Sequence, residues 1–144
     1  MTKRIYVASS WRNKHQLGVL RFLRDIGHQV YDFRNPPHGP GGFTWSEIDE
    51  NWQEWTKEQY KNHLLNSARA SQGFTQDIRG MMWCDTCVLV LPSGRSAHLE
   101  AGWCAGAGKF VITFIPGEPE EPDLMYLLTD HIALNFNELR KVLN

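Results

Sequence analysis

Cysteine is scarce, with three in 144 residues. An odd count this small cannot build a disulfide framework, and it points to a reducing cytoplasm. Long apolar runs are missing as well. No stretch approaches the roughly 18 residues that span a bilayer, and residues 1–4 lead straight into a strand-like run rather than a secretion signal. Nor is there an excess of either charge: Lys and Arg number 15, Asp and Glu 16, for a formal net charge of -1. Without a stripe of Lys or Arg, neither a nucleic-acid polymer nor a membrane is the expected partner. The six histidines are scattered and lack metal-ligand spacing, so no metal and no cofactor are expected. Cys84 and Cys87 form a C-x-x-C, but at a helix end that leads into a strand. A redox pair sits at a helix start, where the thiol pKa falls. These thiols therefore read as buried and structural.

What is present describes an ordinary globular protein, 42% hydrophobic and 22% charged. The length suits one domain over residues 1–144. Strand-like runs at residues 4–9, 29–33, 86–91, 110–115 and 132–134 alternate with helical patterns. The helices are expected at 13–26, 43–66, 75–83, 96–108, 124–130 and 138–143. Leu17, Leu20, Leu23 and Ile26 mark the buried face of the first, and Trp45, Trp52 and Trp55 a packing stripe on the second. Such alternation builds βαβ units with right-handed crossovers. The predicted fold is a flavodoxin-like, three-layer α/β domain with a parallel sheet in the order 2-1-3-4-5. Ligands then bind beyond the carboxyl ends of the strands. The stretch 35–72, broken by Pro and Gly at 36–42, exceeds an ordinary crossover and is expected to form a lid, a pocket wall or a subunit contact.

Two carboxylates are expected at that rim. Glu100 follows the clearest strand and falls near the start of a helix, where unsatisfied N–H groups and the helix dipole favour an ionised nucleophile. A simple capping role is weakened because a capping box from Ser96 needs Glu at 99, where Leu99 stands. Asp77, near the start of the preceding helix, falls on the same edge, while Asp85 falls on the opposite one. Glycosidic cleavage uses two such groups, one as nucleophile and one for the proton. Ser9, Ser10, Trp11 and Arg12 leave the first strand and open a helix, a setting for a phosphate or carboxylate. Ser93, Gly94, Arg95 and Ser96 would form a second wall, and Trp11 could stack on a base. Tyr6 reads equally as core. Gly106-Ala107-Gly108-Lys109 echoes a P-loop but ends a helix, and Gly102, Gly106 and Gly108 are expected to let that helix lie close on the sheet.

Taken together, Ile5-Tyr6-Val7-Ala8-Ser9, Asp77 eight residues before Asp85, and Ser93 through Glu100-Ala101-Gly102 resemble the nucleoside 2-deoxyribosyltransferase superfamily. The likeness is greatest to short bacterial members carrying Tyr-Val-Ala-Ser-Ser-Trp-Arg-Asn and Gly-Arg-Ser-Ala-His-Leu-Glu-Ala-Gly-Trp, and it covers nearly the whole chain. The resemblance implies that Glu100 forms a glycosyl-enzyme intermediate, Asp77 helps protonate the departing base, and Tyr6 orients the nucleophile. It also implies a nucleoside or nucleotide substrate and a homodimer or larger assembly. Transferases acting on free nucleosides place a further Asp just after the central strand, where this chain has Pro92-Ser93. The Ser9–Arg12 loop instead resembles the phosphate loop of deoxynucleoside 5′-monophosphate N-glycosidases. Deoxyribosyl transfer is thus the first expectation and monophosphate hydrolysis the second. NAD cleavage in the manner of TIR-like domains and a non-enzymatic nucleotide-sensing module remain further alternatives.

Overall fold

Residues 86–90, Thr-Cys-Val-Leu-Val, offer no polar face, so the strand they form must be covered on both sides. In the computed structural model, which describes residues 1–39 and 41–144, this segment is the central strand of a five-stranded parallel sheet. Pro40 of the Pro/Gly stretch lies outside the described residues. The strands are β1 (Arg4–Ala8), β2 (Gln29–Tyr31), β3 (Thr86–Val90), β4 (Phe110–Phe114) and β5 (His131–Ala133). Their order is β2-β1-β3-β4-β5, the flavodoxin-like order expected from the sequence. The register sets Val7 against Val88 and Val88 against Ile112.

The helices are α1 (Gln16–Asp25), α2 (Lys57–Asn66), α3 (Ala68–Trp83), α4 (Arg95–Gly106) and α5 (Phe136–Leu143). Side chains alternate across the sheet, with one set facing α1 and α5. Ile5, Val7, Val88, Val90, Ile112 and Phe114 join Val19, Leu20 and Leu23 of α1 and Leu139 and Leu143 of α5 in one core. The alternate positions, Tyr6 among them, belong to the face on which α4 packs against β1, β3 and β4. Gly27, at φ +98, ends α1, as His28 N donates to Leu23 O across the last turn.

The chain clusters into two compact units, Met1–Asp32 with Met81–Asn144, and Phe33–Gly80. The first carries the sheet. The second holds α2 and most of α3, with an aromatic group in which Trp45 meets Trp55 edge-on and Trp55 stacks on His63 at 4.3 Å.

Several expected boundaries move, for local reasons. The helix expected over 43–66 is two 3₁₀ turns (Trp45–Glu47 and Trp52–Glu54) followed by α2. Thr44 and Glu47 close a capping box around the first turn. Asp49 accepts from Asn51 N and Trp55 Nε1, and Thr56 caps α2 through Gln59 N. Such side-chain bonds compete with continuous helix. Helix α3 begins at Ala68, so Asp77 lies in its interior rather than near its start. Helix α1 begins only at Gln16, leaving residues 9–15 as a loop, and half-exposed Leu17 gives way to Val19 on its buried face. The helix expected at 124–130 is a 3₁₀ turn, Leu124–Leu128. The glycines in and just after α4 are not what lets it lie on the sheet. A Cβ at Gly102, Gly106 or Gly108 would meet nothing within 4 Å, and Ala97, Ala101 and Cys104 form the buried face instead.

Candidate active site

Tyr6 is placed by the pleat of β1 on the face that carries α4. Its side chain is fully buried, its ring stacks on Tyr31 at 5.4 Å, and its hydroxyl donates to Glu100 Oε2 at 2.9 Å. A core tyrosine needs a partner for its hydroxyl, and here the partner is a carboxylate. Glu100 lies in the second turn of α4, past the reach of a first-turn dipole effect. The phenol, at 2.9 Å, is a donor to this oxygen. The arrangement leaves a half-buried carboxylate aimed by a neutral donor, which suits attack on an electrophilic carbon.

The loops after β1 and β3 meet at the carboxyl rim. Ser10 N donates to Ser93 Oγ at 3.0 Å, and Gly94 N donates to Ser10 Oγ at 2.6 Å. Ser93 Oγ in turn donates to Val90 O at 2.6 Å. A Cβ at Gly94 would stand 3.4 Å from Ser10 Oγ, so the loops approach closely there. Ser9 is buried at 7% exposure, and its hydroxyl has no partner among the described residues. Trp11, Arg12, Arg95 and Ser96 are exposed. Arg12 precedes α1 by a turn rather than standing at its start, whereas Arg95 opens α4 after Gly94. The structure thus joins Tyr6 to Glu100 and the first serine loop to the second.

Asp77 belongs to the Phe33–Gly80 unit. Burial pushes its carboxyl up to about 6, so near neutral pH it exists in both protonated and ionised forms. Asp85, at the amino rim, accepts from Arg4 N through both oxygens at 3.2 and 3.1 Å. That is a structural role, as its position in the sequence suggested. Cys84, Cys87 and Cys104 are buried and free, and the mutual hydrogen bond of Cys84 with Cys104, together with burial, raises the Cys84 thiol.

The sequence assigned no individual role to three residues at this rim. Asn13 is buried and bonds to the last carbonyl of β3 and to two atoms of the loop that follows it. His98 reaches Gly94 O through Nδ1 at 2.8 Å and the Tyr126 hydroxyl through Nε2 at 2.9 Å. Both His98 and Tyr126 line a cavity of about 520 Å³ along the flank of α4 that carries Arg95 and Gly102. Asn13 and His98 stand inside the two distinctive motifs, and that adjacency was the available signal. Tyr126 had none. Among the described residues no group of His, Cys, Asp or Glu could hold a metal ion, and no helix is long and apolar enough to cross a membrane.

Neither a family model nor a curated protein matches the sequence. Solved structures do match its fold. One is a 2-deoxyribosyltransferase from the psychrotolerant bacterium Bacillus psychrosaccharolyticus, 22% identical, covering 96% of this chain and 90% of that one, with a TM-score of 0.64. Another is a CMP N-glycosidase from Clostridium botulinum, 17% identical, covering 98% of both chains, with a TM-score of 0.54. At these identities the likeness establishes a shared flavodoxin-like fold, and the chemistry has to come from the side chains.

Proposed function

We propose that the protein cleaves the N-glycosidic bond of a nucleoside or nucleotide with Glu100 as nucleophile, acting first as a nucleoside 2-deoxyribosyltransferase. The observation that carries this reading is the bond from the buried Tyr6 hydroxyl to Glu100, which holds a carboxylate on the helix that follows β3, and in such folds ligands bind beyond the carboxyl ends of the strands. In the proposed reaction a Glu100 oxygen attacks the anomeric carbon and the carbon–nitrogen bond breaks. The base departs with the bonding electrons and takes a proton from Asp77, whose raised pKa keeps one available near neutrality. A nitrogen of the incoming base then displaces Glu100 and returns its proton to Asp77. Two displacements retain configuration.

A second reading, hydrolysis of a nucleoside 5′-monophosphate, is favoured by one observation. Arg12, in the loop after β1, and Arg95, the first residue of α4, stand exposed beside two loops that are bonded together, and neither has an ion-pair partner among the described residues. A phosphate dianion would collect charge-assisted bonds there. The 2-deoxyribosyltransferase and the CMP N-glycosidase that share the fold correspond to these two readings. A homodimer or larger assembly in the cytoplasm belongs to the same proposal. Helix α2 buries no residue and exposes Tyr60, Leu64 and Leu65, which supports a subunit contact.

The test is a panel of nucleosides and 5′-monophosphates, with and without an acceptor base, given to wild type and to Glu100→Gln. Base release by wild type that the variant lacks is the expected result, and a new nucleoside formed with the acceptor selects transfer over hydrolysis. A variant keeping more than about a tenth of wild-type turnover would remove Glu100 as nucleophile.

A further inference from the structure

Asn13 is a polar residue in a rim loop, yet it is only 5% exposed. Its side chain is divided between two jobs. The oxygen stays local, accepting from His15 N at 2.7 Å, an Asx-type turn that shapes the approach to α1. The nitrogen reaches across the rim, donating to Val90 O at 3.0 Å and to Pro92 O at 2.9 Å, with Ser93 Oγ at 3.4 Å. Val90 ends β3, and Pro92 and Ser93 lie in the loop that leads to Gly94 and α4. An amide has two protons, and the two short contacts use both.

The same junction absorbs the serine hydroxyls. Ser93 Oγ donates its proton to Val90 O and accepts from Ser10 N, so it has no proton left for a ligand. Ser10 Oγ accepts from Gly94 N and keeps its proton. The backbone N of Asn13 also donates to Ser10 O at 3.0 Å, a turn within the loop after β1 that sets where the side chain starts. The loop that carries Arg12 and the loop that leads into Arg95 are therefore held to each other by neutral groups, and Asn13 supplies the most buried of these bonds.

We propose that Asn13 is a positioning residue whose side-chain amide clamps the loop after β1 to the loop after β3, so that Arg12 and Arg95 act on substrate as one unit. The proposal rests on the functional reading above, in the form that gives these loops an anionic substrate end. Its consequence is that affinity for a 5′-monophosphate depends on a residue that never touches the phosphate. The arginines supply charge, and the clamp fixes their spacing. Free loops would have to be ordered on binding, at an entropic cost.

Asn13→Asp separates the two jobs. It preserves shape and the oxygen that receives His15 N, but replaces the donating nitrogen with an acceptor facing two carbonyls. Asn13→Ala removes both. The measurements are kcat and KM on a matched nucleoside and 5′-monophosphate, with amide hydrogen exchange over residues 9–13 and 91–96. If the clamp operates, Asn13→Asp behaves like Asn13→Ala. In both, KM for the monophosphate rises about tenfold or more while kcat changes less than about threefold, and exchange quickens in both loops. Wild-type KM and exchange in Asn13→Asp would overturn the proposal, because the local turn would then be all that Asn13 provides. So would faster exchange confined to residues 9–13. If neither Asn13 variant folds, the wild-type side-chain amide decides by NMR: the Asn13 Nδ2 protons, bonded to Val90 O and Pro92 O, must exchange at least about tenfold more slowly than those of a free asparagine amide, and free-amide exchange would refute the clamp. Should wild type turn over no member of the panel, the proposed function falls, and the exchange data alone decide whether the clamp exists.

Discussion

The amino rim of the sheet and the junction of the β1 and β3 loops at the carboxyl rim use charge in opposite ways. At the amino rim, charged side chains are engaged in holding the chain together. Asp85 receives Arg4 N and Thr86 Oγ1, Arg4 Nε donates to Trp83 O, and Lys109 Nζ donates to Cys84 O at 2.5 Å. Where the loops after β1 and β3 meet at the carboxyl rim, the binding together is done by neutral groups, Ser10, Asn13 and Ser93, while Arg12 and Arg95 stay exposed. A charge satisfied by backbone groups is a structural device. A charge left in water, on a loop fixed by other means, is available to a ligand. The comparison teaches where in this fold substitution should cost activity and where it should cost stability.

The largest expected effect sets Glu100 against Asp85. Glu100→Gln should lower turnover by about a thousandfold or more while the thermal midpoint stays near wild type. Asp85→Ala should leave turnover within about twofold and lose about 1–3 kcal/mol of stability, because Arg4 N loses its acceptor. Paired kinetics and thermal unfolding on both variants check this. If the two effects fell on the opposite residues, the comparison would be broken.

Next in size is Arg12→Ala. It should raise KM for a 5′-monophosphate by about tenfold to a hundredfold and change the matched nucleoside by less than about threefold, since one charge-assisted bond is worth about 1.5–3 kcal/mol. Equal effects on both substrates would make Arg12 a structural or subunit-contact residue and favour the free-nucleoside transferase.

Tyr6→Phe keeps the ring on Tyr31 and deletes the donor to Glu100. If the lost bond orients Glu100 as the proposed nucleophile rather than the ligand, kcat falls about tenfold with little change in KM. A change in KM alone would assign Tyr6 to binding.

The smallest effect is on stability and depends on pH. The Asp77 carboxyl, raised to about 6 by burial, binds its proton more tightly in the folded chain than in the unfolded one. Above pH 6 both states are ionised, and the folded state carries the cost of a buried charge. That cost fades as pH falls through 6 towards the ordinary carboxylate value. Asp77→Asn should therefore stabilise the protein by about 1–2 kcal/mol at pH 8, with the gain disappearing near pH 4. Denaturant unfolding at the two pH values measures it, and a gain that grew on acidification would contradict the cause. On turnover, the same variant should slow substrates with poor leaving bases more than those whose base departs unprotonated.

Much of the frame was legible because it depends on pattern. The unbroken apolar run of β3 and the alternation of strands with helices carried the parallel sheet and its order. Glu100 was legible because it follows that strand, and the likeness to a known family had already drawn Tyr6 to it. The helix starts were not, since they turn on small local contests. Thr44, Asp49 and Thr56 bond to nearby N–H groups and cut a periodic stretch into turns. In the same way the loop through Asn13 delays α1 to Gln16. Nor could the sequence foresee that Ser93 would be committed to Ser10 and Val90, because those bonds join segments more than eighty residues apart as well as near neighbours.

The central claim is that Glu100 carries the sugar, and intact-protein and peptide mass spectrometry can read that directly. Wild type would be incubated with 2′-deoxy-2′-fluoroarabinosyl nucleosides and their 5′-monophosphates, analogues that slow release of the sugar from the carboxylate. The account predicts one added glycosyl unit per chain, on the peptide containing Glu100, absent in Glu100→Gln and lost when an acceptor base is supplied to a transferase or on standing in water for a hydrolase. Base release without any adduct on Glu100, or an adduct on another residue that survives in Glu100→Gln, would contradict it.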